Sequence, residues 1–345
     1  MSSTGDHELD APLLTELTQQ WSAVLTEAVI DCSWSAAGRV AMLTADGVVM
    51  VDSPGWQTRP VCPAPTSIIW TSDGRVVVTD RHLGIVMAGG GDQRIYSLDR
   101  TRAVVSQGHR LAVIGGSTVW SLSRDPHGPP DAEMKSMQVD ARCRELHAIA
   151  PISTALVAVA GSAGVAVVDV GLNLVDTRIE LEGVLSIDVN PSGSMVAAGD
   201  LSGSIHVFRL GDETNGRELT GYPDRVRTLG WAHAGAWLLA SADDELTCWP
   251  IGDDGWPADE PISCIGHDEP ITALACAAHN DLVITGDAAG EVAVWSLRMP
   301  DRPVATLSLG AEVTSITWSL DGSQVAVGTV AGTAQVYRVR RGVVA

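Results

Sequence analysis

Val313-Thr-Ser-Ile-Thr-Trp318, the turn Ser319-Leu-Asp-Gly322, then Gln324-Val-Ala-Val-Gly328 and Thr333-Ala-Gln-Val-Tyr-Arg-Val339 form the stretch that decides the fold. Three short runs rich in Val, Thr, Ile and Ala are parted by polar, glycine-bearing turns, the pattern of strand, turn and strand. A tryptophan followed four residues later by a turn glycine recurs at Trp34 to Gly38, Trp70 to Gly74 and Trp231 to Gly235. Asn190-Pro-Ser-Gly193 and Ala278-His-Asn-Asp281 hold the same place in other units without the tryptophan. A self-similar unit every ~35–45 residues signals a repeat architecture in which each unit buries its apolar face against its neighbours.

The same succession of runs occurs at 184–210, 226–251 and 271–297, and in the first half at 29–52 and 67–98. Two weaker units, 103–125 and 146–170, bring the number to eight, with seven as the alternative if one weak unit is an insertion. Spacers within a unit are too short for a crossover helix, so the strands run as antiparallel meanders. A fourth, outer strand is expected from the stretch before the next unit, with Asn173–Leu181, Glu260–Ile265 and Pro303–Leu309 as candidates. A ring of such sheets leaves only short edges, which makes this an all-β, single-domain β-propeller over residues 13–345. Its final unit lacks chain for an outer strand, and Leu13–Leu25 precedes the first unit without a blade of its own. Pairing these two segments would close the ring. A surface helix over the same residues is the alternative. Residues 1–12 are expected to be a disordered tail.

Composition narrows the function classes. A net charge of −20, with 22 Lys plus Arg against 42 Asp plus Glu, disfavours nucleic acid, whose phosphates need clustered cations. Lys135 is the single lysine, and no Gly-x-x-x-x-Gly-Lys-Ser/Thr loop occurs, which excludes that NTPase class. The cysteines (Cys32, Cys62, Cys143, Cys248, Cys264 and Cys276) include no Cys-x-x-Cys, and several fall on expected strands as small buried apolar groups. The polar, acidic start MSSTGDHELD is unlike a signal peptide, and no apolar run reaches the ~18–20 residues of a membrane span. A cytoplasmic, reducing setting away from membranes is the expectation.

The units resemble WD40 repeats over nearly the whole chain from about residue 28, most closely from 184 to 339. Gly266-His267 stands before a strand as the family's Gly-His does, Trp249 and Trp295 end third strands, and Asp243 matches the Asp between second and third strands. The chain also departs from the pattern. Ser121, Pro250 or Ser296 follows the tryptophan instead of Asp, and Ser202, Ala289 and Ala331 occupy the Asp position. On this reading no unit keeps the family's hydrogen-bonded set of His, Asp, Ser/Thr and Trp, so the blades would rely on apolar packing. The repeated Trp at the end of the first strand is expected to wedge between neighbouring blades.

In such a ring, the loops entering each first strand share one face with the turns between second and third strands. The resemblance implies that this face docks partner proteins. The residues it would present are Asp80, Arg81, His82, Asp200, Asp224, Arg225, Asp243, Asp244, His267, Asp268, Glu269, Asp287 and Glu312. Their predominantly negative charge would favour a basic surface or peptide. Any one of them, taken alone, reads more readily as a solvated loop tip than as a partner contact. Metal and catalytic readings find less support: no His-x-x-x-His or Cys/His ligand spacing occurs, and His109 and His206 read as structural. Asp31 and Asp188 are the acids on expected inner strands, and a Ca²⁺ site of a propeller hydrolase needs six or more oxygens. Gly89-Gly-Gly-Asp92 lacks the strand–helix context of a nucleotide loop. The Pro-rich Asp125–Asp131 and the loop carrying Trp256 are expected to protrude. The reading is therefore a non-catalytic scaffold without cofactor, with a metal-dependent hydrolase or a small-ligand sensor as alternatives.

Overall fold

The computed structural model describes residues 14–342 apart from 52–56, 90–91, 108–109, 124–132, 140–144, 172–173 and 279. The expectations for residues 1–12, His109, Cys143 and Asp125–Asp131 lie outside the described residues. Every unit read from the sequence forms a four-stranded antiparallel sheet, and among the described residues there are eight of them. Both weak units are full blades, at Thr101–Gln138 and Leu146–Glu180. The expected outer strands are present as Leu174–Glu180, Ile262–Cys264 and Ala305–Ser308.

Each inner strand contacts the next around the ring, and the inner strand Val313–Trp318 of the last blade contacts Val29–Trp34 of the first. The eight apolar clusters coincide with the eight blade interfaces. One joins Val29, Met42 and Met50 to Ala326, Ala334 and Val336 of the last blade. The core is thus a circle of sheet-on-sheet seams, with each blade buried on two faces. That double burial explains why second strands such as Val40–Thr44 and Met195–Asp200 are buried at every position and show no polar alternation.

Leu14–Val24 is a strand, and it pairs antiparallel with Thr333–Gly342 to complete the last blade from both ends of the chain. The helix alternative would have left the backbone groups of Thr333–Gly342 unpaired at a sheet edge. A bulge between Gln19 and Trp21 reverses the alternation of this strand. Leu17 therefore packs toward the seventh blade, whereas Trp21 and Ala23 pack toward the first.

The tryptophans that end inner strands wedge between blades, and three of them are anchored in the same way. The indole N–H groups of Trp34, Trp70 and Trp318 donate to the carbonyls of Thr317, Ser33 and Ala275 on the preceding blade, at 3.0–3.1 Å. Trp231 is buried in the equivalent place, but its Nε1 has no partner among the described residues. There the preceding blade carries Asp188, whose carboxylate accepts the Trp231 backbone N–H at 3.1 Å. Asp31 bridges similarly, accepting from Ser67 Oγ at 3.0 Å and from the Ile68 N–H at 2.9 Å on the second blade. These two carboxylates act as inter-blade acceptors. Burial raises both to a pKa of about 6 against the opposing pull of those N–H donors. Trp256, on a loop expected to protrude, is buried between the fifth and sixth blades, with the guanidinium groups of Arg209 and Arg217 4.7 and 5.7 Å from its ring.

Candidate docking face

The loops that enter the inner strands and the turns between second and third strands are laced together by backbone hydrogen bonds. Arg81 N–H donates to Ala64, Leu201 to Gly183 and Val330 to Glu312, at 2.9–3.0 Å. Other bonds reach the adjoining blade: Val226 N–H donates to the Asp200 carbonyl and Ile271 N–H to that of Asp243. Both loop sets therefore form one continuous face, as the repeat spacing predicts.

Four residues expected to meet a partner there instead hold the face together, because their side chains turn inward. Asp80 is fully buried and accepts from the Ala64, His82 and Leu83 N–H groups at 2.7–2.8 Å. Burial would raise its pKa, but these donors outweigh it and hold the carboxyl below the usual carboxylate range. Asp200 accepts from the Ser202 and Ser204 N–H groups and meets His206 Nε2 at 2.9 Å. Its pKa is likewise lowered, with desolvation opposing and the Ser204, His206 and Ser202 hydrogen bonds prevailing. Asp287 accepts from the Ala289 and Glu291 N–H groups.

Asp287 and the fourth residue, His267, also correct the expectation that no blade keeps the complete polar set. In the seventh blade, Trp295 Nε1 donates to Thr285 Oγ1 at 2.7 Å, and Thr285 Oγ1 meets His267 Nε2 at 2.6 Å. His267 Nδ1 meets Asp287 Oδ2 at 2.8 Å. With Nδ1–H donating to the carboxylate and Nε2 accepting the threonine hydroxyl, every member is satisfied. The resemblance places the acid at position 289. Asp287, two residues earlier at the end of the second strand, supplies it instead. Asp243, which matches that position by sequence in the sixth blade, is exposed with φ 60 in its turn. Tyr222 substitutes for histidine in that blade, accepting from Trp249 Nε1 at 2.8 Å and meeting Thr247 Oγ1 at 2.6 Å.

The remaining expected residues are accessible. Asp224, Asp243, Asp244, Asp268, Glu269 and Glu312 are exposed along an arc over the sixth to eighth blades, with half-buried Arg225 among them. Arg225 Nε lies 3.4 Å from Asp224 Oδ1. The Arg225 backbone N–H, followed by its side chain, keeps the Asp224 carboxyl below its ordinary range.

On the other side of the mouth, Arg81 and His82 belong to a cavity of about 750 Å³, with Asp99, Arg100, Arg102 and His147. Ile30, Pro65 and Thr66 line the rest of it. Arg102 Nη1 approaches His147 Nδ1 at 3.3 Å, and burial, then the guanidinium, lowers the pKa of that histidine. The sequence reading missed Arg100, Arg102 and His147. Ile30, Thr66, Arg102 and His147 are each the second residue of an inner strand, so superposing the units would have placed them at one level of the channel mouth. The two weakest units carry the last two, which hid the correspondence. Among the described residues, no three His, Cys, Asp or Glu side chains gather as a metal-holding group. No helix among them is long and apolar enough to cross a membrane.

Comparisons with known proteins agree with this geometry. The family model described as WD domain, G-beta repeat, matches residues 179–209 and 259–296, the latter spanning the blade with the complete polar set. The 66 kDa stress protein of Physarum polycephalum is 24% identical over 242 residues, which are 68% of this chain and 37% of that protein. The chain thus spans little more than a third of that relative's length. The C-terminal WD40 domain of Sif2 superposes with a TM-score of 0.72 over 94% of this chain and 98% of that domain, at 12% identity. Residues 179–209 and 259–296 thus match the WD40 repeat model, and the described residues form an eight-bladed β-propeller with the fold of that WD40 domain.

Proposed function

We propose that the protein is a non-catalytic scaffold that docks another protein on its loop face, within a cytoplasmic complex. WD40 propellers bind other proteins as a class, and the observation that carries the reading here is the bracing of this face. Asp80, Asp200 and Asp287 accept loop N–H groups, so the loops are held in shape before any partner arrives. Pre-formed loops lower the ordering cost of association. The exposed arc of Asp224, Asp243, Asp244, Asp268, Glu269 and Glu312 supports a basic partner surface, through attraction and faster encounter.

The test is affinity purification at native expression followed by mass spectrometry, comparing the wild-type chain with one carrying the arc acids as Asn or Gln. A specific companion retained by the wild type and lost from the variant is the expected result. Equal capture by both removes the acidic arc from the reading. Detected hydrolytic turnover without any companion replaces the scaffold with an enzyme.

A further inference from the structure

We infer that the cavity at the first-half side of the mouth binds a multiply charged anionic group, a phosphate monoester or clustered carboxylates. The chain is strongly acidic, with a net charge of −20, yet Arg81, Arg100 and Arg102 converge on one concavity with His82 and His147. These groups come from three separate places in the fold: the second-to-third-strand turn of the second blade, the entry to the inner strand of the third, and the start of the inner strand of the fourth. Asp99 is the one acid among the described lining residues. It lies 3.9 Å from Arg100, with both side chains largely in solvent, and so offsets little of the charge. Among the described residues, neither Arg81 nor Arg102 forms an ion pair with a carboxylate.

Gathering like charges in a concave wall of low polarizability focuses a positive potential that an anion relieves. Guanidinium forks present paired N–H donors that match phosphate and carboxylate oxygens. Burial, then the Arg102 guanidinium, lowers the pKa of His147, and an anion seated beside the ring opposes that shift. Arg100 takes a φ of 53 at the entry to its strand, in the left-handed region, and its side chain lines the same cavity. The face is therefore bipolar, with an acidic arc over the sixth to eighth blades and a basic socket over the second to fourth. The scaffold reading supplies only the source of the anion, a segment of the docked partner. The socket itself is a property of the purified chain.

The probes are a fluorescein-labelled eight-residue peptide with one phosphoserine between glutamates, its uncharged alanine and glutamine counterpart, and sodium pyrophosphate. Fluorescence polarization of the purified chain is expected to show binding of the charged peptide at least tenfold tighter than the uncharged one, weakening as salt rises. Arg81→Glu with Arg102→Glu is expected to weaken it a further tenfold to about a hundredfold, the range of lost charge-assisted contacts. Arg100→Glu alone, at an exposed side chain, gives a second readout in a chain whose fold is not at risk. Charged-peptide binding well above that of pyrophosphate assigns the anion to a partner segment; equal affinity for pyrophosphate assigns it to a free small anion. Equal binding of charged and uncharged peptides, or affinity unchanged in these variants, overturns the assignment whether or not a companion protein is captured.

Discussion

Thr285→Val should reveal how much the seventh blade owes to its buried polar chain. Valine keeps the shape of threonine but removes the hydroxyl that accepts from Trp295 Nε1 at 2.7 Å and meets His267 Nε2 at 2.6 Å. Trp295 is fully buried and His267 nearly so, at 0% and 6% exposure, so water cannot replace the lost partner. One unsatisfied buried group costs about 1–3 kcal/mol, and two are left here, which gives a loss of roughly 2–6 kcal/mol. Urea unfolding followed by circular dichroism measures it as a fall in midpoint at constant slope. Thr285→Ser keeps the hydroxyl and should recover most of the loss. Trp295→Phe made on the Thr285→Val background should cost less than on the wild type, because the orphaned donor leaves with the indole. A Thr285→Val stability within about 0.5 kcal/mol of wild type, the size of an ordinary surface substitution, would refute the reasoning. So would equal costs for the valine and serine variants.

Other expectations follow from the blade seams. Trp70→Phe should destabilise by about 1 kcal/mol more than Trp231→Phe, since the first loses a bond to the Ser33 carbonyl and the second loses an indole N–H that has no partner among the described residues; equal urea midpoints would contradict this. Asp31 and Asp188 have folded pKa values raised to about 6, so their contribution is fully present below the unfolded value near 3.8 and fades as pH rises through 6. Asp31→Asn with Asp188→Asn should therefore flatten that part of the stability profile between about pH 4 and 7, read as the difference from wild type across a pH series of urea curves. An unchanged difference across the series would mean that the two carboxyls do not titrate differently on folding. Deleting residues 1–24 removes the partner of Thr333–Gly342 and exposes a long sheet edge. Size-exclusion chromatography should then show association or aggregation in place of the wild-type species, and an unchanged elution profile with unchanged thermal stability would argue that the ring does not need this strand.

The sequence alone determined the repeating meander; it favoured eight blades over seven and a closing strand over a surface helix, and the structure decided both. Each of these depends on local signals: runs of β-branched residues, turn glycines such as Gly38 and Gly322, and a tally of strands that leaves one edge without a partner. It also located the loop face, because repeat spacing fixes which turns lie together. Only the tertiary structure decided the direction of the side chains on that face. Asp80, Asp200 and Asp287 look like exposed loop acids in the sequence, yet each turns inward to accept backbone N–H groups of its own turn, and Asp80 also that of Ala64 on the neighbouring loop. The completeness of the His267 set was hidden for the same reason, since Asp287 reaches the ring from two residues before the aligned position. Arg100, Arg102 and His147 carry no joint motif along the chain; they meet because successive inner strands stand side by side around one axis. A hydrogen bond or a shared cavity depends on distances between blades, and spacing along the chain records the order of blades but not which atoms the ring brings within reach.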